Sequence, residues 1–296
     1  MSLLSIQLFG KLAIQIDGHR INGFDSRKNQ ELLTYLLVYR DRPHTRESLA
    51  ELLWQSSSTS QSKKYLRQAL WQIQQLLPIA RLILTEPDWI RISPDVSYWL
   101  DVAEFERAYA QSEGVAGQHL DELAAISLDK AAALYRGDLL EGWYSDWCLY
   151  ERERLQIMWL AMLDKLMSHC EATGQYEAGL SYGMRALRDD RAHERIHRQM
   201  MRLAYMAGDR TSALRQYERC VEALKEELGV GPGRLTVELH RRIQNDAIEI
   251  GGMPEPRLPD LVATSRLDQL REILTQLHDH VSEDLDALDH ALVDSD

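Results

Sequence analysis

Two stretches of this sequence set recognising or reactive side chains at helical spacing. The first is SKKYLRQALWQIQQLL, Ser62 to Leu77. Leu66, Ala69, Leu70, Ile73 and Leu77 recur at the three-and-four interval of a buried stripe. Lys64, Arg67, Gln68, Trp71 and Gln75 gather on the opposite side, and Lys63 and Gln72 complete the polar set. Cations such as Lys63, Lys64 and Arg67 hold phosphate or guanine, and amides such as Gln68, Gln72 and Gln75 read adenine edges. Trp71 either meets a thymine methyl or sugar edge or packs on the neighbouring loop. The face suits a helix that enters a DNA groove. The second stretch is His193-Glu194-Arg195-Ile196-His197, an HExxH pattern. On a helix it sets two imidazoles on one face beside a glutamate, as in zinc peptidases, with Glu218 as a third ligand. Arg191, Arg195 and Arg198 would crowd positive charge around a dication, so the expectation is no metal and no catalysis.

Other reactive side chains argue for ordinary roles. Cys148, Cys170 and Cys220 are odd in number, far apart and outside any CxxC pair, which fits buried thiols in a reducing compartment. His278, His280 and His290 lie among acids and read as part of a solvated helix. No GxSxG elbow, Gly-rich dinucleotide fingerprint or GxxxxGK[ST] occurs, so neither an enzyme nor a cofactor is expected. Trp143, Trp147, Trp159, Tyr135, Tyr144 and Tyr150 form an aromatic-rich centre, expected to cement a helical core.

Elements that would position the first stretch are legible around it. Alternating runs at Leu4–Leu8 and Leu12–Ile16, with turns at Gly10 and Asp17-Gly18, predict a small antiparallel sheet. A helix follows over Ser26–Tyr39, then a short one capped by Thr45 with Leu49, Leu52, Leu53 and Trp54 as its apolar members. Ser56–Ser62 reads as a loop into the groove-facing helix. Beyond Pro78, Leu82–Thr85 and Trp89–Ile92 flank Glu86-Pro87-Asp88 as a hairpin. Sheet, three helices and hairpin spell a winged helix-turn-helix of the OmpR/PhoB kind over 1–99, its third helix the reading element. Arg46, opening the second helix, and Arg91, on the hairpin, are candidate contacts to the DNA backbone.

Residues 100–250 read as helical throughout, with internal repetition. GQYEAGLSYGMRAL at Gly174 and GDRTSALRQYERCV at Gly208 align Gly179 with Ala213 and Leu180 with Leu214 at the tetratricopeptide period. Pro254, Pro256 and Pro259 mark a linker over 251–262, and 263–296 carries leucines at heptad positions in an acidic helix that either supports a homodimer as a coiled coil or packs on its own domain or frays. The fold class is therefore mainly α, a winged helix with small β-sheets followed by a TPR-like helical domain.

The net charge of −12 opposes DNA binding until it is divided along the chain. Residues 1–100 hold 12 Lys and Arg against 9 Asp and Glu, whereas 101–251 hold 19 against 26 and 252–296 hold 3 against 11. Such a polarised molecule meets phosphate through its first third. No apolar run reaches the length of a membrane span, and the start lacks a signal-peptide pattern, so the expected location is the cytoplasm.

ALYRGDLLEGWYSDWCLYERERL at 133–155, the two repeats and EELGVGPGRLTVELHRRI at 226–243 together resemble the bacterial transcriptional activator domain. With the winged helix ahead of it, the chain resembles the regulators called SARPs, after the Streptomyces antibiotic regulatory proteins, over residues 3–245. The resemblance implies binding to repeated promoter sites on double-stranded DNA and recruitment of RNA polymerase. Two departures stand out: Gln72, Gln74 and Gln75 occupy positions where the family commonly has Arg or Lys, and Glu86 and Asp88 sit on the hairpin. They predict a weak monomeric DNA binder that depends on tandem sites, a second subunit or polymerase. The rival expectation is an adaptor of TPR type that keeps the winged fold and works through protein contacts.

Overall fold

The computed structural model describes residues 4–21, 23–55, 57–77 and 81–247. The chain divides into a compact unit ending at Asn245 and a second unit from Asp246 onward. The linker, the heptad leucines and the tail histidines lie outside the described residues.

A four-stranded sheet of order β3-β2-β1-β7 opens the first unit: β1 is Leu4–Gln7, β2 Ala13–Ile16, β3 His19–Arg20 and β7 Tyr98–Leu100. The expected turns are in place, Gly10 and Asp17-Gly18 all having positive φ. β1 pairs antiparallel with β2, as its alternation predicts, and parallel with β7, a pairing between segments more than 90 residues apart. Helix α1 (Arg27–Val38) is capped by Ser26, and α2 (Arg46–Leu53) by Thr45, whose hydroxyl accepts from Ser48 N at 3.1 Å. Helix α3 spans Thr59–Leu76 and so starts three residues before Ser62. The reason is local: Ser62 lies buried in the first turns and its hydroxyl donates back to Ser58 O at 3.1 Å, so the serine-rich segment enters the helix instead of linking to it. β5 (Ile83–Thr85) and β6 (Trp89–Ile92) form the expected hairpin, joined by a third strand, β4 (His44–Thr45), in the order β4-β6-β5.

The rest of the unit is helical: α4 (Asp101–Ser112), a 3-10 turn (Gly117–His119), α5 (Glu122–Ala132), α6 (Asp146–Thr173), α7 (Tyr176–Asp189), α8 (Glu194–Met206), α9 (Arg210–Leu228) and α10 (Arg234–Gln244). The 34-residue period is visible in three dimensions. Gly174 and Gly208, both left-handed, turn α6 into α7 and α8 into α9, as a backbone without a Cβ can do without strain. Gly179 and Ala213 are buried at helix crossings, and a Cβ at Gly179 would stand 2.9 Å from Leu203 Cδ1. The Gly229–Gly233 segment ends α9 with a left-handed Gly229 and caps α10 with Gly233.

One apolar core runs through both halves of this unit. At the sequence boundary of 99/100, β7 leads straight into α4, and Asp101 turns back to accept hydrogen bonds from Leu8 N at 2.8 Å, Phe9 N at 3.0 Å and Val102 N at 2.8 Å. Burial pushes its carboxyl up, and the three donors pull it back. The segment before α6 clamps the β1–β2 turn through Gly10 N to Asp138 O and Leu140 N to Leu8 O, at 2.8 and 2.9 Å. The aromatic centre divides accordingly. Tyr135 stacks on Trp159 and meets Phe9, whereas Trp147 packs edge-on to Tyr35 of α1 at 5.3 Å. Tyr144 is 76% exposed, so it cements nothing. These rings join the winged helix to the helical array more than they fill the array itself.

Candidate nucleic-acid interface

On α3 the buried stripe is Ser62, Leu66, Ala69, Leu70 and Ile73, with Leu77 buried just past the end. That packing, against α1 and α2, turns Lys63, Lys64, Arg67, Gln68, Trp71 and Gln75 outward, all exposed. Trp71 is 61% exposed, so it does not pack on the neighbouring loop. Gln72 departs from the group: it is half-buried, and its side-chain oxygen accepts from Asn29 Nδ2 of α1 at 2.8 Å. It anchors the helix and lies off the outward face.

Charge on this surface is partly answered from within. Lys63 Nζ lies 2.6 Å from Glu47 of α2, and that lysine holds the Glu47 carboxyl below its ordinary range. Arg46 Nε donates to the carbonyl of Glu86 at 3.0 Å, while its backbone N donates to Asp88 O, so α2 is tied to the hairpin tip. Arg91, exposed on β6, stands 3.8 Å from the Glu86 carboxylate. The structure thus links α3, the start of α2 and the hairpin into one strip. The alternation of β6 turns Trp89 outward with Arg91, and Trp89 is 43% exposed. Sequence reading missed Trp89 and Glu47, although the period-2 pattern carried the first of them.

Two side chains of the HExxH pattern, His197 and Glu194, are engaged in packing. His197 is buried, its Nε2 at 2.9 Å from Arg191 O and its Nδ1 at 2.8 Å from Gln216 Nε2, and burial lowers its pKa. Glu194 accepts from Gly233 N at 2.8 Å and from the Thr236 hydroxyl, fastening α8 to α10. No group of three His, Cys, Asp or Glu suited to a metal occurs among the described residues. The three cysteines are buried free thiols, and burial pushes Cys148 up to about 11 and Cys220 up to about 12, which disfavours the thiolate.

Residues 100–244 match the family model described as the bacterial transcriptional activator domain. The chain carries a bacterial transcriptional activator domain. A winged helix stands ahead of the matched residues, the order that the resemblance to SARPs implies. Relatives include the transcriptional regulatory protein EmbR of Mycobacterium bovis and of Mycobacterium tuberculosis, each 25% identical over 256 residues, 81% of this chain. The chain spans 63% of the length of those relatives. A solved structure of Mycobacterium tuberculosis EmbR in complex with a low-affinity phosphopeptide superposes with a TM-score of 0.65 at 21% identity, covering 93% of this chain and 72% of that one. That likeness is one of fold. Among the described residues no helix is long and apolar enough to cross a membrane.

Proposed function

We propose that this chain is a sequence-specific DNA-binding regulator of transcription, acting in the cytoplasm as an activator on repeated promoter sites. The observation that carries the reading is the outward face of α3, three cations, two amides and a tryptophan, held on a winged helix that leads directly into an activator domain. Lys63, Lys64 and Arg67 supply phosphate or guanine contacts, Gln68 and Gln75 read base edges, and Arg46 and Arg91 steady the backbone from α2 and the hairpin. Gln72 serves through α1 by fixing the helix. The helical array, acidic and turned to protein, contacts RNA polymerase or a second protomer.

Footprinting on the chain's own upstream region tests this. Protection of tandem sites at low salt is expected. Arg67→Ala should weaken binding by about 1–3 kcal/mol without shifting the melting temperature, because the side chain is exposed. The adaptor reading draws support from the Glu47–Lys63 pair and from Glu86 and Asp88 exposed on the hairpin. Absence of any protected site at low salt, together with recovery of protein partners, decides for it.

A further inference from the structure

We propose that a depression between α7 and α9, floored by α8, is a docking site for an acidic protein segment carrying an apolar side chain. It goes beyond the DNA reading and does not depend on it. The depression, about 310 Å³ and open to solvent, is bordered by Arg188 at the end of α7, Arg191 in the following loop and Arg219 on α9. Met184 and Met200 give it an apolar lining. Met200 lies low because Gly183 faces it: a Cβ there would stand 2.5 Å from Met200 Cγ. Beneath, the His197–Gln216 hydrogen bond fixes the wall.

The charge at this place runs against its surroundings. The 101–251 stretch holds more carboxylates than cations, and most arginines of α8 are used by them: Arg195 pairs with Asp164 at 2.7 Å and Arg202 with Glu171 at 2.9 Å. Arg188 and Arg219 are exposed, and neither has a carboxylate partner among the described residues; Arg219 reaches only the Gln216 amide, at 3.4 Å. Arg191 is held by exposed contacts of 3.4 and 3.9 Å to Glu226 and Glu227, loose enough to exchange for another carboxylate. Glu222 is the acid on the rim. Guanidiniums around a methionine-lined hollow complement an anionic peptide with one apolar anchor, since thioether side chains adapt to whatever fills them. A hollow this open to solvent receives a side chain of a partner better than it encloses a small molecule, whose sites bury most of the ligand surface.

The test uses the full chain and a fluorescein-labelled glutamate-rich peptide carrying a single leucine, titrated by anisotropy without DNA. Saturable binding on the order of 100 μM is expected, weakening with salt and falling about tenfold or more for the matched glutamine peptide. The double variant Arg188→Glu, Arg219→Glu should lose about tenfold or more in peptide affinity. It should keep its melting temperature and its affinity for promoter DNA. No saturation up to about 1 mM, equal affinity for the glutamine peptide, or unchanged binding by the double variant overturns the proposal. So does a double variant that loses DNA affinity and keeps the peptide, because the arginines would then belong to DNA. Loss of DNA binding by the unmodified chain would instead sink the regulator reading and leave this site standing.

Discussion

At the scale of single residues, the proposed DNA contact of α3 meets an internal competitor in the pair of Glu47 with Lys63. Both side chains are largely exposed, 69% and 45%, so the pair contributes little to folding. It matters because Lys63 must leave Glu47 to neutralise a phosphate, and Glu47 then stands near DNA as an unpaired anion. Glu47→Gln should therefore tighten binding and steepen the log-log dependence on salt by up to ~0.9, the contribution of one regained phosphate contact. The melting temperature should fall slightly, since Glu47 also sits in the first turn of α2 where a negative charge favours the helix. Anisotropy titrations across a sodium chloride series read both effects; an unchanged slope means that Lys63 does not touch the backbone. Residue roles set by neighbours in sequence were legible, such as the Thr45 cap and the outward cations of α3. Gln72 was not, because its partner Asn29 comes from a different helix and leaves no trace in the periodicity of α3.

Helices and strands were readable in proportion to how local their causes are. The amphipathic faces and the 34-residue repeat identified the helical elements, since small residues at crossings must recur wherever the crossing recurs. Strand β7 escaped because Tyr98–Leu100 is three residues long and its pairing is with β1, at the other end of the winged helix. Glycine again tells where elements approach most closely. A Cβ at Gly183 would press on the Met200 side chain, which can rotate away. One at Gly117 would press on the carbonyl of Lys165, which belongs to the backbone of α6 and cannot yield without bending that helix. Gly117→Ala should thus be the costlier change, by about 1–3 kcal/mol of overpacking strain, while Gly183→Ala is largely absorbed. Thermal unfolding followed by circular dichroism ranks the two, and the opposite order would show that α6 moves more freely than Met200.

For the whole molecule, the order of elements in the sequence ends the winged helix at 99 and opens the helical domain at 100, a point where composition also shifts from basic to acidic, and the fold carries its core across it. Charge patterning reports solvent and partners, whereas the seam is built from apolar and hydrogen-bonding groups that no charge count registers. Leu100, Val102 and Phe105 are almost wholly buried. Each contributes about 1.5–3 kcal/mol. Their sum is comparable with the 5–15 kcal/mol that typically holds a domain folded. Asp101 adds acceptors for Leu8 N and Phe9 N, which would otherwise lack partners, and Arg40 reaches Glu106 at 2.6 Å. A fragment of residues 1–99 loses all of these, so it should unfold without a cooperative transition and bind promoter DNA much more weakly than the full chain. A fragment of residues 1–247 keeps all of these contacts and should melt with its α3 face intact. Near-ultraviolet circular dichroism and DNA titration of the two fragments compare them. If the shorter one melts sharply and binds as the full chain does, the winged helix is independent of the seam, and the orientation of α3 is not set by the helices that follow residue 100.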